Sequence, residues 1–149
     1  KMDRHVADGH RRGADLLRGG RRRAGQPTDL YYEFTVADQV PLDSLFATEE
    51  SFGPVVPIIV ADSEDELLGI ANSDPLGLQA AVFTRDISKA YRFVEELAVG
   101  QVVVNASTCW WDINMPFGGA GGRGTGWGRI GGKHTLLGMS DLRTAAIQL

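Results

Sequence analysis

Cysteine is almost missing from this chain: Cys109 is the only one in 149 residues. A single thiol can neither close an internal disulfide nor build a thiolate metal cluster, so the composition excludes a disulfide scaffold and a cysteine-held metal. Long apolar runs are missing too. No stretch reaches the length of a membrane-spanning helix, and no charged-then-apolar leader stands at the start. The expectation is a cytoplasmic protein that does not enter a membrane. Charge of one sign is also scarce, with 15 Lys and Arg against 19 Asp and Glu, a net charge of −4. Eight of the 15 basic residues fall within positions 1–23, including Arg21-Arg22-Arg23. That pattern is compatible with an anion-binding arm. Asp3, Asp8 and Asp15 interrupt it, however, and no aromatic residue lies among the arginines to stack a base. The segment therefore reads as a solvated basic face, with no nucleic-acid partner.

What is present describes a globular α/β chain. An apolar content of 43% with 23% charged residues supports one domain with a core. The opening Lys1-Met2-Asp3 passes at once into helix-like sequence, and the expectation is a piece of something longer. Residues 1–12 read as an amphipathic helix with Met2, Val6 and His10 on one face, broken at Gly13. "ADLLR" reads as a short strand, "GGRRRAGQPTD" as a loop, and residues 30–38 carry strand-forming types. "VVPIIVA" (55–61) suits a buried strand, with Pro57 marking an edge or a bend. Ser63 and Glu66 have capping-box spacing before the helix "EDELLGIANS". A second strand, "LQAAVFT", follows, then a helix capped by Asp86 and ended by Gly100, then the strand "QVVVN". This alternation predicts a parallel βαβαβ core. A short helix near "KHTLLGM" and a closing strand "LRTAAIQL" complete the expectation.

Nine of the 19 glycines crowd into "FGGAGGRGTGWGRIGGKH" (117–134), where Gly126, Gly128 and Gly131 spell G-x-G-x-x-G. A dinucleotide fingerprint needs a strand directly before those glycines, a helix directly after, and an acidic residue ~20 positions on. Here the preceding strand ends at Asn105, and only eighteen residues follow Gly131. A phosphate loop fails as well, because Trp127 stands where its first glycine belongs and His134 where a magnesium-binding hydroxyl belongs. The predicted helix after position 62 opens with Asp62, Glu64, Asp65 and Glu66, carboxylates that repel a phosphate. The glycines are thus expected to provide turns and close backbone approach.

"TEESFGPVVPI" (48–58) is more specific. It resembles the E-E-x-F-G-P-V element of the aldehyde dehydrogenase superfamily. "GADLLRGG", "ANSDPLGLQAAVFTRDISKA", "GQVVVN" and "MPFGG" are similar to further elements of that family, in its order and spacing, with Leu76 where a Tyr is usual. The resemblance covers nearly the whole chain. It implies the C-terminal part of the catalytic domain over residues 1–139 and an oligomerisation strand over 140–149, in an intact enzyme assembled as a homo-oligomer, dimer or tetramer. The family pattern after P-F-G-G is x-K-x-S-G-x-G-R. Here Gly121 replaces the Lys and Arg123 the Ser, and the "FGGAGGRGTG" version resembles benzaldehyde-dehydrogenase-like members.

By the same resemblance, Glu50 matches the carboxylate that accepts hydrogen bonds from the nicotinamide ribose of NAD or NADP. Phe52 matches the aromatic beside the nicotinamide ring, and Leu78 a leucine of the same pocket. Phe117 matches an aromatic of the aldehyde site. Residues 107–113 fall in the variable substrate loop, where Trp110 and Trp111 suit an aromatic or bulky aldehyde. A subunit contact is an open alternative for the two tryptophans. Without the resemblance, Glu49-Glu50 is a solvated acidic pair, and Phe52, Leu78 and Phe117 are core residues.

The family's chemistry uses a cysteine in a G-Q-x-C context and a glutamate in an E-L-G-G context, and neither pattern occurs in these residues. Cys109, in "STCWWD", has the wrong surroundings for that nucleophile, so no catalytic residue and no metal ligand is assigned. The chain on its own is expected to be inactive. Two other readings stay open: a non-catalytic interaction fragment, and an unrelated nucleotide-binding module. Removing residues 141–149 is expected to change the assembly state of the intact enzyme, and unchanged sedimentation would count against an oligomerisation strand.

Overall fold

The computed structural model describes residues 1–148; Leu149 lies outside the described residues. Two compact units follow one another along the chain, residues 1–64 and residues from 65 onward.

In the first unit, helix α1 (Met2–Arg12) stops at Gly13, whose backbone is left-handed at φ 107°. Only glycine adopts that conformation without cost, so the helix ends where the sequence suggested. The buried face is not the one expected. His5, Val6, Asp8 and Gly9 are buried, whereas His10 is exposed. The aromatic edge of His5 meets Phe46 at 6.1 Å between ring centres, which turns the helix onto the 5–9 side. Strand β1 (Asp15–Arg18) runs antiparallel to β2 (Thr35–Asp38), and β2 runs parallel to β3 (Val55–Pro57). A single helical turn, α2 (Leu45–Thr48), presents Phe46 to a core of Val6, Ala14, Ala37 and Val40.

The basic segment of this unit is neutralised locally. Arg4 pairs with Glu49, Arg21 with Glu33, and Arg22 with both Asp3 and Asp29. Arg11 and Arg12 both meet Asp8, and Arg12 also reaches Asp43. Arginines engaged in this way form a salted surface rather than an open cationic patch.

In the second unit, α3 (Glu64–Ser73) leads to β4 (Gln79–Val82), α4 (Ile87–Glu96) and β5 (Gln101–Val104). The strands are parallel and in register from Gln79–Gln101 to Val82–Val104, as a helical crossover requires. Asp86 caps α4 by accepting from the amides of Ser88 at 2.8 Å and Lys89 at 3.3 Å. Leu68, Phe93 and Leu97 form the core of this unit, with Val82 and Val102 against them.

Three expectations need correction. The α/β class holds, but the strands do not form one parallel βαβαβ sheet. Strand β3 belongs to a mixed three-stranded sheet, and β4 and β5 form a two-stranded one. β3 spends its hydrogen bonds on β2, and Pro57 has no N–H with which to extend the pairing. Next, Gly100 does not end α4, which stops at Glu96 with Leu97 already extended. A Cβ on Gly100 would collide with the Gly118 carbonyl, so this glycine exists for close backbone approach. Finally, residues 141–148 form no strand within the chain, and Leu142 and Ile147 are exposed.

Asp8 is the electrostatic centre of the first unit. The Leu45 amide, donating at 2.8 Å, is the main reason its carboxyl is held below the usual range, and the Arg12 and Arg11 guanidinium groups add to this. A depressed folded value means that its stabilisation is complete above the unfolded carboxyl range and is lost as pH falls through the folded value. Asp8→Asn is expected to lower the Tm at neutral pH, with the difference from wild type closing toward pH 2. A constant difference across that range would remove Asp8 from this role.

Candidate functional site

The turn carrying Glu49, Glu50 and Phe52 is held down by α1. His5, fully buried, contacts Ser51 Oγ through Nδ1 at 3.0 Å, and its Nε2 lies 3.3 Å from Glu49 Oε2. Burial is the main cause that pushes His5 below its ordinary value, so near neutral pH it is an uncharged hydrogen-bonding post. Arg4 donates to the Glu49 carboxylate, and Lys1 Nζ donates to the Glu50 carbonyl. The adjacent glutamates are therefore in opposite conditions. Glu49 is consumed by the scaffold. The Glu50 side chain is exposed and has no partner among the described residues.

Phe52 has φ 52°, one of three non-glycine residues with a positive value among the described residues. An aromatic residue there is strained by about 1 kcal/mol or more, which surrounding contacts must offset. The ring is 88% exposed. A large apolar side chain held outward at a backbone cost is characteristic of a functional surface rather than of a core. This contradicts a core role for Phe52 and leaves it available to a ligand.

In the second unit, the residues expected near the aldehyde do meet. Trp111 lies edge-on to Phe117 with ring centres 5.9 Å apart, and its indole N–H donates to the Met115 carbonyl at 3.3 Å. Phe117 is half-buried and pairs with Ile130 through both backbone hydrogen bonds, at 2.7 and 2.8 Å. Trp110, half exposed, follows a turn in which its amide donates to the Ser107 carbonyl at 2.9 Å. Trp111 and Phe117 thus form a partly exposed aromatic pair, with Trp110 on the preceding turn. Leu78 is 39% exposed and follows Gly77, at the start of β4. Cys109 is a free, exposed cysteine.

The far end of the glycine run closes this loop. The Gly132 amide donates to Ile113 O at 2.9 Å, and Gly131, at φ 100°, lies against the Met115 and Ile113 carbonyls. Its amide is received by Thr135 Oγ1 at 2.7 Å, at the start of the short helix α5 (Gly132–Gly138). The middle of the run lines an open hollow bounded by Gly119, Gly122, Arg123, Trp127 and Arg129. Both guanidinium groups there donate to backbone carbonyls, Arg123 to Asn72 and Asp74 and Arg129 to Gly119. Both side chains are thus tied to the backbone around the hollow. Among the described residues, no cluster of His, Cys, Asp and Glu is arranged to hold a metal.

The aldehyde dehydrogenase family pattern matches residues 1–145. The chain belongs to the aldehyde dehydrogenase family. It is 40% identical over 135 residues to a lactaldehyde dehydrogenase of Methanocaldococcus jannaschii, covering 91% of this chain and 27% of that protein. It is 37% identical to rat mitochondrial succinate-semialdehyde dehydrogenase, covering 91% of this chain and 25% of the relative. Among solved structures, a P. syringae indole-3-acetaldehyde dehydrogenase mutant in complex with NAD+ and IAA superposes at TM-score 0.90 and 35% identity, over 99% of this chain and 29% of its own. A glyceraldehyde-3-phosphate dehydrogenase from M. jannaschii complexed with NADP gives TM-score 0.82 and 36% identity, over 94% of this chain and 29% of its own. The aldehyde dehydrogenase chain thus spans between a quarter and three-tenths of the length of these relatives.

Sequence reasoning named the outward-facing residues of this family member but missed what supports them. His5, Lys1 and Arg4 lie more than forty positions from the turn they hold. No local pattern marks such a pairing. Gly131→Ala is expected to destabilise the second unit by more than about 1 kcal/mol, because it adds backbone strain to a collision with Met115 O. A lower Tm with altered tryptophan fluorescence is the readout, and unchanged fluorescence would separate Gly131 from the aromatic pair.

Proposed function

We propose that this chain is the C-terminal part of the catalytic domain of an NAD(P)-dependent aldehyde dehydrogenase. In the intact enzyme it supplies recognition surfaces, and other segments supply the thiolate and the general base. The observation that carries this reading is the free carboxylate of Glu50, next to a Glu49 wholly engaged by Arg4 and His5.

An ionised, acceptor-only carboxylate fits the vicinal hydroxyls of a nicotinamide ribose. The exposed ring of Phe52 suits a flat apolar partner, and Leu78, in the other unit, is an apolar candidate on a fixed turn. These residues fit the cofactor whose bound form, NAD+ or NADP+, accepts hydride. Relatives bind one or the other, and nothing in this chain selects between them. The aromatic side chains of Trp110, Trp111 and Phe117 favour an aromatic aldehyde, in keeping with the benzaldehyde-dehydrogenase-like glycine run. The role of these residues is to hold the aldehyde carbon near the nucleophile and to exclude water. We place the enzyme in the cytoplasm as a homo-oligomer joined through residues 140–149. The exposed Leu142 and Ile147 also favour a second reading, in which the isolated chain acts only as an interaction fragment.

Glu50→Gln in the intact enzyme is expected to lower kcat/KM by roughly tenfold or more, the effect of losing a charge-assisted hydrogen bond, with little change in Tm. The 149-residue chain alone is expected to form no NAD(P)H from any aldehyde. A Glu50→Gln enzyme that simply unfolds would return Glu50 to the scaffold, and turnover by the isolated chain would overturn the division of labour.

A further inference from the structure

Helix α3 ends without a basic residue in its last turn, and within it Ser73 Oγ donates to the Ile70 carbonyl at 2.7 Å, which leaves the carbonyls after Ile70 to outside donors. The cation comes from fifty positions away. Arg123 Nη2 donates to Asn72 O at 3.0 Å, and Nη1 donates to Asp74 O. Around that contact, three further bonds tie the glycine run to the same turn. The Gly124 amide donates to Pro75 O at 2.9 Å, the Ala120 amide to Gly77 O at 2.9 Å, and the Gly77 amide to Thr125 Oγ1 at 2.7 Å. Gly77 is squeezed between them, since a Cβ there would lie 2.6 Å from Ala98 O and 3.2 Å from Arg123 itself. Leu78 is the next residue.

We propose that Arg123 is a positioning residue for the cofactor: its fork closes the C-terminus of α3, locks the 74–78 turn into the glycine run, and so fixes where Leu78 stands. The proposal rests on the dehydrogenase reading for its kinetic consequence, while the clamp itself is a property of the chain alone. A planar guanidinium with two donors on adjacent nitrogens is the group that matches two diverging carbonyls, and an ammonium is not.

The test has two arms. In the 149-residue chain, hydrogen exchange compares wild type with Arg123→Ala and Arg123→Lys. The clamp requires the Gly77, Ala120 and Gly124 amides to exchange about tenfold faster in the alanine variant and at an intermediate rate in the lysine variant. Unchanged exchange at those amides overturns the clamp whatever the enzyme does. In the intact enzyme, Arg123→Ala is expected to raise KM for NAD(P)+ about fivefold, the factor a net hydrogen bond commands, with the aldehyde KM unchanged. Asn72→Ala serves as the control, because it loses the Asn72 side-chain links to Glu96 O and the Ala98 amide but keeps the carbonyl that Arg123 uses. If Asn72→Ala, at an equal loss of Tm, raises the cofactor KM as much, Arg123 is structural and the positioning role fails. If wild-type enzyme reduces no NAD(P)+ with any aldehyde, the dehydrogenase reading fails instead, and the exchange data still decide the clamp.

Discussion

Two amides, those of Gly100 and Ala120, converge on one oxygen, the carbonyl of Gly77, at 3.0 and 2.9 Å. Most of the second unit depends on that junction. It fixes the segment before β5 to the turn before β4, and it draws the glycine run across both. The approach is possible only because the backbones carry no Cβ there: at Gly77 one would press on Ala98 O, and at Gly100 one would overlap Gly118 O. Glycine costs entropy in the unfolded chain, and the cost is recovered where three segments must share a space that side chains would fill. Within the glycine run, Gly118, Gly119 and Gly131 meet the same demand for close approach, whereas Gly122, Gly126 and Gly128 stand in open space and instead provide positive φ.

The first unit solves a related problem, again with a glycine at the close approach, since a Cβ on Gly53 would collide with Met2 Sδ. Its exposed turn presents an unpaired carboxylate and an aromatic ring, both unfavourable to hold in place, and it must do so on a short segment with no helix or strand of its own. α1 provides the rigidity. A buried, neutral His5 and the outer Arg4 and Lys1 grip the turn by its scaffold atoms, the Ser51 hydroxyl, the Glu49 carboxylate and the Glu50 carbonyl. The Glu50 carboxylate and the Phe52 ring are left over. That division between gripped and free atoms is what gives a flexible loop a defined binding geometry.

The sequence made the local elements legible because their causes are local. Asp86 caps α4, Gly13 ends α1, and α3 covers "EDELLGIANS", each from a signal within a few residues. The sheet partition was not legible. Whether β3 pairs with β2 or with β4 depends on tertiary competition, and the Pro57 signal was visible without stating which side it would disable. The face of α1 was misread for a related reason. His10 and His5 are equally plausible from periodicity, and only the position of Phe46 decides between them. Of the candidate site, motif resemblance named the residues, Glu50 rather than Glu49 among them, but nothing local in the sequence explains why the two carboxylates differ.

That separation is the most informative feature of the molecule. Two identical side chains on neighbouring residues differ only in which way the backbone turns them, and the left-handed Phe52 two residues on is part of that turn. Arg4 and Lys1 hold the turn through the Glu49 carboxylate and the Glu50 carbonyl, and the Glu50 carboxylate is left outside that grip. The strained backbone at Phe52 belongs to the segment that presents it. A binding group remains available only if the protein is prevented from satisfying it internally. Here the residues that hold the turn do so through its other atoms.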